Sequence, residues 1–420
     1  MLQTRRSLLL AAAIVLAVAT LLILQSPAAR SRIEWRYEVW STYLKNAINP
    51  VGPMPTPLPS TPVPTTTPGP PTPTAISSMP VTATATQVAL PAQAALVAPD
   101  YERQGINNCG PATLAMMLRM YGWEGDQYDI AQIIKPIDKD RNVNPEELRY
   151  YILNEAGWLR AEYRVAGDIQ LLKRLLAAGY PVLIEAATTI DPQDSLGPSD
   201  DLWAAHYLLV TAYDDAAQTI TAHDPLRGPD RLIPYDQLME DWKPFSYLYM
   251  VIYSPDDEPE VAALLGEAWV ADANRRRALD IAEDAAAADP EDGFAWFNLG
   301  SALVYFERYQ EAAQAFDTAF TLGLPLRMTR YQFWPFVAYY NADRIDYLLQ
   351  LTESTFKIIN GHYSEEALLW HGYGLLRQGD IAGAAADWNK ALSVHPRYCD
   401  AERAINEFVA VTYDLTGCSP

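Results

Sequence analysis

Gln104-Gly-Ile-Asn-Asn-Cys109-Gly-Pro-Ala-Thr113 decides the reading of this chain, because it sets a lone cysteine where a loop turns into a helix. Asn107 and Asn108 are good N-cap residues, and Pro111 suits the first helical turn. Leu114, Met117, Leu118 and Tyr121 follow at helical spacing, and Gly122 can end the helix. A thiol at that position sits in the positive end of the helix dipole, which favours thiolate and hence a nucleophile. A small cysteine buried at a helix start would give the same local pattern, so the rest of the chain has to arbitrate.

At 420 residues the chain has room for two or three domains. Its formal net charge of −21 disfavours binding to nucleic acid or anionic lipid through a basic surface, and disfavours strongly acidic substrates. Three cysteines occur, Cys109, Cys399 and Cys418. A Cys399–Cys418 disulfide would leave Cys109 as the free thiol. Arg5 and Arg6 precede an apolar run from Leu8 to Leu24, a charge arrangement that places everything downstream outside the cytoplasm. The run reads as an uncleaved signal-anchor; cleavage near Ser26-Pro27-Ala28 would make the protein secreted instead.

The composition divides the chain into segments. Residues 1–31 hold the signal-anchor or signal peptide, and 32–95 a juxtamembrane stretch and a Pro/Thr-rich linker, with Pro62–Pro73 as its densest part. Such a linker cannot bury a core and is expected to be an extended spacer between membrane and domain. Residues 96–255 read as mixed α+β: helix starts at Cys109 and Asn144-Pro145, an Asp168-capped helix, and strands at Ala161–Val165, Tyr180–Glu185, His206–Tyr213, Gln218–Asp224 and Tyr247–Tyr253. Over residues 259–398, Gly266, Ala278, Ala285 and Pro290 recur as Gly300, Ala312, Ala319 and Leu324, and again as Gly372, Ala384, Ala391 and Pro396. This period resembles the tetratricopeptide repeat, an all-α solenoid of paired antiparallel helices that serves as a protein-contact platform. The unit around 329–362 is irregular, and its cluster Tyr331, Phe333, Trp334, Phe336, Tyr339 and Tyr340 is expected to fill core in preference to lining a peptide groove. Residues 399–420 form a tail.

A cysteine nucleophile needs a base within hydrogen-bond reach, and the base needs a third group to orient it. Only five histidines exist, and two, His206 and His223, fall in the α+β block. His206 opens one strand and Asp224 closes its neighbour across the Asp214-Asp215 turn, so the two can meet at the open ends of the pair. His223 competes as a base, but adjacent strand residues face opposite ways, so it points away if Asp224 points to the cleft. The three remaining histidines, His362, His371 and His395, lack metal-ligand spacing and read as helix-face residues; no metal or cofactor is expected.

Taken together, Gln104…Asn108-Cys109-Gly110-Pro111-Ala112, Ala205-His206-Tyr207-Leu208-Leu209-Val210 and His223-Asp224-Pro225 resemble the papain-like cysteine peptidases of family 39, whose members include bacteriocin-leader-processing domains. The resemblance implies an α+β papain-like fold. It also implies Cys109 as nucleophile, His206 as general base and acid, Asp224 as orienter of the imidazole, and Gln104 as oxyanion donor beside the Cys109 N–H. An amide with four residues between it and the thiol can also be read from spacing alone as pointing at a developing oxyanion. Asn108 stands where leader-processing members often carry aspartate, and the chain has no Gly-x-x-x-x-Gly-Lys-Ser/Thr phosphate loop, so leader processing within a transporter is not expected. The loop Ile190–Asp201 carries four aspartates and no basic residue, and reads as a solvated loop. The expectation is a membrane-tethered, extracytoplasmic cysteine peptidase acting on peptide or protein, with a protein partner on the repeats. The alternative is a catalytically idle papain-like domain that binds peptides as an adaptor.

Overall fold

Val182-Leu-Ile-Glu-Ala, Tyr207-Leu-Leu-Val and Tyr249-Met-Val-Ile-Tyr are short apolar runs with almost no polar alternation, the pattern of strands covered on both faces. The computed structural model describes residues 90–189, 202–358 and 360–409, with isolated positions within 33–57 and at 413 and 415. These runs lie at the centre of an antiparallel seven-stranded sheet. Its strands are β1 (Gln93–Ala95), β2 (Arg160–Arg164), β3 (Val182–Thr189), β4 (Trp203–Asp214), β5 (Thr219–Asp224), β6 (Gly228–Pro234) and β7 (Tyr249–Tyr253). Their order is β2-β7-β3-β4-β5-β6, with β1 paired to the Ala212–Asp214 end of β4. Two of these strands, β1 and β6, are additions to the elements expected from the sequence. The sheet reaches into residues assigned above to the linker, because Ala94 opposite Tyr213 completes a hydrogen-bonded edge.

Alternation sorts the sheet's side chains between two cores. Leu183, Tyr207, Leu209, Met250 and Ile252 pack on one face against helices α1 (Cys109–Arg119), α2 (Gln127–Ile134) and α3 (Pro145–Tyr150, continued as a π-helix to Ala156). Val182, Ile184, Leu208, Val210, Tyr249 and Val251 pack on the other against α4 (Ile169–Ala177), α5 (Tyr235–Trp242) and α6 (Glu258–Leu265). Asp168 caps α4 as expected, its carboxylate accepting from Leu171 N at 2.7 Å.

From Ala271 onward the described chain is helical. α7 (Ala271–Ala288) precedes three helical hairpins: α8 (Gly293–Tyr305) with α9 (Tyr309–Leu322), α10 (Trp334–Asn341) with α11 (Ile345–Lys357), and α12 (Glu365–Arg377) with α13 (Ile381–Val394). α14 (Cys399–Phe408) closes the stack. The irregular stretch is thus a hairpin like its neighbours. The first unit is the one that departs: Gly266 lies outside any α-helix with φ +58°, and opens a 3-10 turn. Where the pattern is strict the reason is contact. Gly300 lies under the Phe316 ring and Gly372 under the Trp388 indole, the same glycine-aromatic relation in two hairpins. The aromatic cluster divides in two. Phe336 and Tyr339 are fully buried core, whereas Tyr331, Phe333 and Trp334 line a cavity of about 750 Å³ between the sheet domain and the helices.

The two regions meet over Trp203, at the start of β4. Its indole stacks on Phe245 with centroids 5.7 Å apart and on Phe294 at 6.4 Å, and meets Tyr331 edge-on. Asn274, 1 % exposed, makes a two-way hydrogen bond with the Val165 backbone. Farther out, Tyr347 Oη donates to Pro55 O at 2.7 Å, so the first residues of the linker lie against the helical stack. Cys399 is disulfide-bonded, and Cys109 is the free cysteine among the described residues. Cys418, the apolar run Leu8–Leu24, the dense Pro/Thr tract and the loop Ile190–Asp201 lie outside the described residues. Among those described, no helix is long and apolar enough to cross a membrane.

A Cβ on Gly372 would stand 2.5 Å from Trp388 Nε1 in a fully buried site. Alanine normally favours a helix over glycine by about 1 kcal/mol, but overpacking a rigid core costs about 1–3 kcal/mol. Gly372→Ala is therefore expected to destabilise the helical region by up to about 2 kcal/mol, read from urea unfolding followed by tryptophan fluorescence.

Candidate active site

Cys109 opens α1 and is partly exposed. Asn108 occupies the N-cap position but does not cap: its side chain makes no bond to the helix and donates to Gln127 Oε1 at 2.9 Å. Asn107, in the left-handed region at φ 53°, donates to Asp138 O. The capping expected from these two asparagines is therefore corrected. Both amides are used to hold the loop, so neither caps the first turn. The thiol takes hydrogen bonds from two backbone N–H groups, those of Gly110 and Tyr207. Gly110 permits the approach, since a Cβ there would meet Val143 and the Tyr207 ring at 3.2–3.3 Å.

His206 lies on β4 opposite Ala186 of β3, and is 4 % exposed. Pairing of Leu209 with His223 sets Asp224 one step farther along β5, beside the strand end that carries His206. His206 Nε2 is 2.7 Å from Asp224 Oδ1, and the ring hydrogen-bonds the Cys109 thiol as well. With Nε2 engaged by the carboxylate, Nδ1 is the nitrogen left for sulfur. Asp224 Oδ1 also accepts from Leu226 N and Arg227 N, both at 2.9 Å, so the carboxylate is fixed by its own turn. His223 faces elsewhere, as expected: Nε2 bonds Pro99 O, Nδ1 accepts from Asp230 N, and Tyr101 packs edge-on against the ring. Gln104 is tied to the same turn through its backbone, N–H to Pro225 O at 2.8 Å, while its buried Oε1 has no hydrogen-bond partner.

The electrostatics follow from these contacts. Burial pushes the Cys109 thiol up, but the hydrogen bond and charge of His206, with the two backbone N–H groups, more than offset it and hold the thiol below its ordinary value. Burial works against protonation of His206, yet Asp224 and Cys109 raise its pKa to about 9. Burial likewise opposes ionisation of Asp224, and His206 with the Arg227 and Leu226 N–H groups holds it below the usual carboxylate range. The arrangement therefore favours a thiolate–imidazolium pair over the neutral thiol and imidazole.

Two side chains were not singled out in the sequence. Gln127, 3 % exposed, accepts from Gly105 N and Asn108 Nδ2 and donates to Glu102 Oε1 and Arg103 O, which ties the whole 102–108 loop together. The Asp126–Asp129 capping box marks the helix that carries it, but no local signal marks its role. Glu185, 4 % exposed, shares the Tyr207 face of the sheet; burial, then the Cys109 charge, pushes its carboxyl well above the usual range. Its sequence signal was a glutamate ending an otherwise apolar buried strand.

Residues 86–250 match the model of the Peptidase_C39 like family. The matched segment, called the C39-like domain below for that similarity, spans the sheet as far as the start of β7 and includes Gln104, Cys109, His206 and Asp224. Among solved structures, a C39-like peptidase structure from Bacillus anthracis aligns at 17% identity with a TM-score of 0.30, covering 39% of this chain and 98% of that one. No curated protein matches the chain.

Alkylation of Cys109 by iodoacetamide, followed by mass mapping, checks the ion pair. The thiol should react at neutral pH and below, where an ordinary cysteine of pKa about 8.5 is mostly protonated. In His206→Ala burial acts without the imidazolium, so the reaction at neutral pH should slow at least about tenfold and recover only in alkali.

Proposed function

We propose that this protein is a cysteine peptidase held on the extracytoplasmic side of a membrane, with its helical region as a platform for a protein partner. What supports the catalytic reading is one observation: the His206 ring is bonded by Asp224 on one edge and by the Cys109 thiol on the other.

In the reaction, Cys109 thiolate attacks the scissile carbonyl, and the carbonyl π electrons move onto oxygen. The oxyanion takes hydrogen bonds from the Cys109 N–H and the Gln104 amide, whose lack of a protein partner at Oε1 leaves it free to reorient. His206, already protonated, gives its proton to the leaving amine as the C–N bond breaks. A thioester on Cys109 results. Neutral His206 then takes a proton from water, whose oxygen attacks the thioester, and thiolate leaves with the carboxylic acid product. Asp224 holds the ring throughout and offsets its charge. A cavity of about 230 Å³ lined by Thr188, His206, Asp224, Arg227 and Asp241 lies against the imidazole and its carboxylate partner.

The export and tethering part rests on the sequence alone: Arg5-Arg6 before Leu8–Leu24, then a Pro/Thr spacer.

Turnover of a quenched peptide library by the full-length protein tests the activity. Cys109→Ala should abolish it, a loss of about 10³-fold or more, while peptide binding persists. Asp224→Asn should retain the fold and lose about 10²–10⁴-fold. Tight peptide binding with no turnover in the unmutated protein would overturn the peptidase reading in favour of an idle binding domain.

A further inference from the structure

Away from Cys109, the C39-like domain and the helical region share a largely buried cluster of unusual composition, in which Glu365 is buried and Glu147 and His395 partly so. Glu147 comes from α3, Glu365 from the first turn of α12, and His395 from the residue that ends α13. His395 Nδ1 stands 3.3 Å from Glu147 Oε1 and 3.4 Å from Glu365 Oε1. It makes no hydrogen bond to either, and Glu365 Oε2 likewise has no partner although the residue is 3 % exposed.

The neighbouring carboxylates show how unusual this is. Glu366, next in sequence, has both oxygens used, accepting from Asn144 Nδ2 at 2.6 Å and Ser364 Oγ at 3.3 Å. Glu147 Oε2 accepts from Asn144 N at 2.7 Å as a capping box, which orients Oε1 toward His395. His395 Nδ1, without a hydrogen-bond partner, thus faces the carboxylates of Glu147 and Glu365, and the second oxygen of Glu365 is unpartnered too. What completes such a set is a cation.

We propose that Glu147 Oε1, Glu365 Oε1 and His395 Nδ1 form a zinc-binding site joining the C39-like domain to the helical region. One imidazole and two carboxylates suit a borderline divalent ion, and buried protein ligands in threes leave a fourth position open. The spacing fits as well. Tetrahedral zinc with bonds of about 2.0–2.1 Å sets its ligand atoms about 3.3–3.4 Å apart; His395 Nδ1 lies 3.3 and 3.4 Å from the two carboxylate oxygens, and all three atoms fall within 4.8 Å of one another. Glu147 Oε2 on Asn144 N supplies the outer hydrogen bond that fixes a metal-ligating carboxylate. Glu147 and His395 also line the 750 Å³ interdomain cavity, which provides a route in. The ligands come from both regions and are remote in sequence, so no spacing motif reveals them.

Zinc uptake by the full-length Cys109→Ala protein, in competition with a chromophoric chelator at neutral pH, tests the site without the thiol–imidazole pair. One equivalent should bind, and Glu147→Gln, Glu365→Gln and His395→Ala should each weaken it at least about tenfold. Glu366→Gln should leave it within about threefold. Zinc should also raise the melting temperature of the Cys109→Ala protein, and Glu365→Gln should lose that rise. No uptake, uptake indifferent to these ligand variants, or preference for calcium over zinc would each overturn the assignment. The peptidase reading is untouched by any of these outcomes.

Discussion

One carboxylate oxygen organises the candidate site. Asp224 Oδ1 takes hydrogen bonds from His206 Nε2 and from the N–H groups of Leu226 and Arg227. The backbone pair fixes the carboxylate, the carboxylate fixes the imidazole, and the imidazole shifts the Cys109 thiol toward its anionic form. Each of these steps uses a group that burial alone would keep neutral. The charges are therefore stable only as a set, which makes the geometry of the turn after β5 as consequential as the three side chains themselves.

The chemistry-bearing residues were legible because each sits at a punctuation point of the chain. Cys109 marks a helix start, and His206 and Asp224 lie toward facing ends of a hairpin whose register follows from its turn. The central strands were legible from apolar runs, and the helical hairpins from small residues that lie beneath aromatic rings. β1 and β6 were not, since one is only Gln93–Ala95 and the other, Gly228–Pro234, is largely exposed with two prolines. Neither has the apolar content that identifies a strand. Asn108 misled for a physical reason: a side chain of N-cap type was claimed by Gln127, a partner that becomes a neighbour only once α2 folds back on the loop. Long-range polar contacts of this kind, Glu147 with His395 among them, have no local pattern to read.

The helical region is more than an appendage to the sheet domain. It reaches the C39-like domain through the Trp203 stack, the Asn274–Val165 pair, Asn144 to Glu366 and the Lys139–Tyr363 contact, on both sides of the interdomain cavity. Trp203 begins the strand that carries His206 three residues later, so packing at the interface and orientation of the imidazole share one short piece of backbone.

The Trp203 stack has a practical corollary for anyone dissecting the molecule. Val165, Ala204, Phe245 and Leu248 are buried together with Tyr331 of the helical region, and Trp203 rests partly on Phe294. A chain cut after β7 would present this aromatic and aliphatic surface to water, a contiguous patch of the kind that drives self-association. A soluble, monodisperse preparation is accordingly expected from the two regions expressed together.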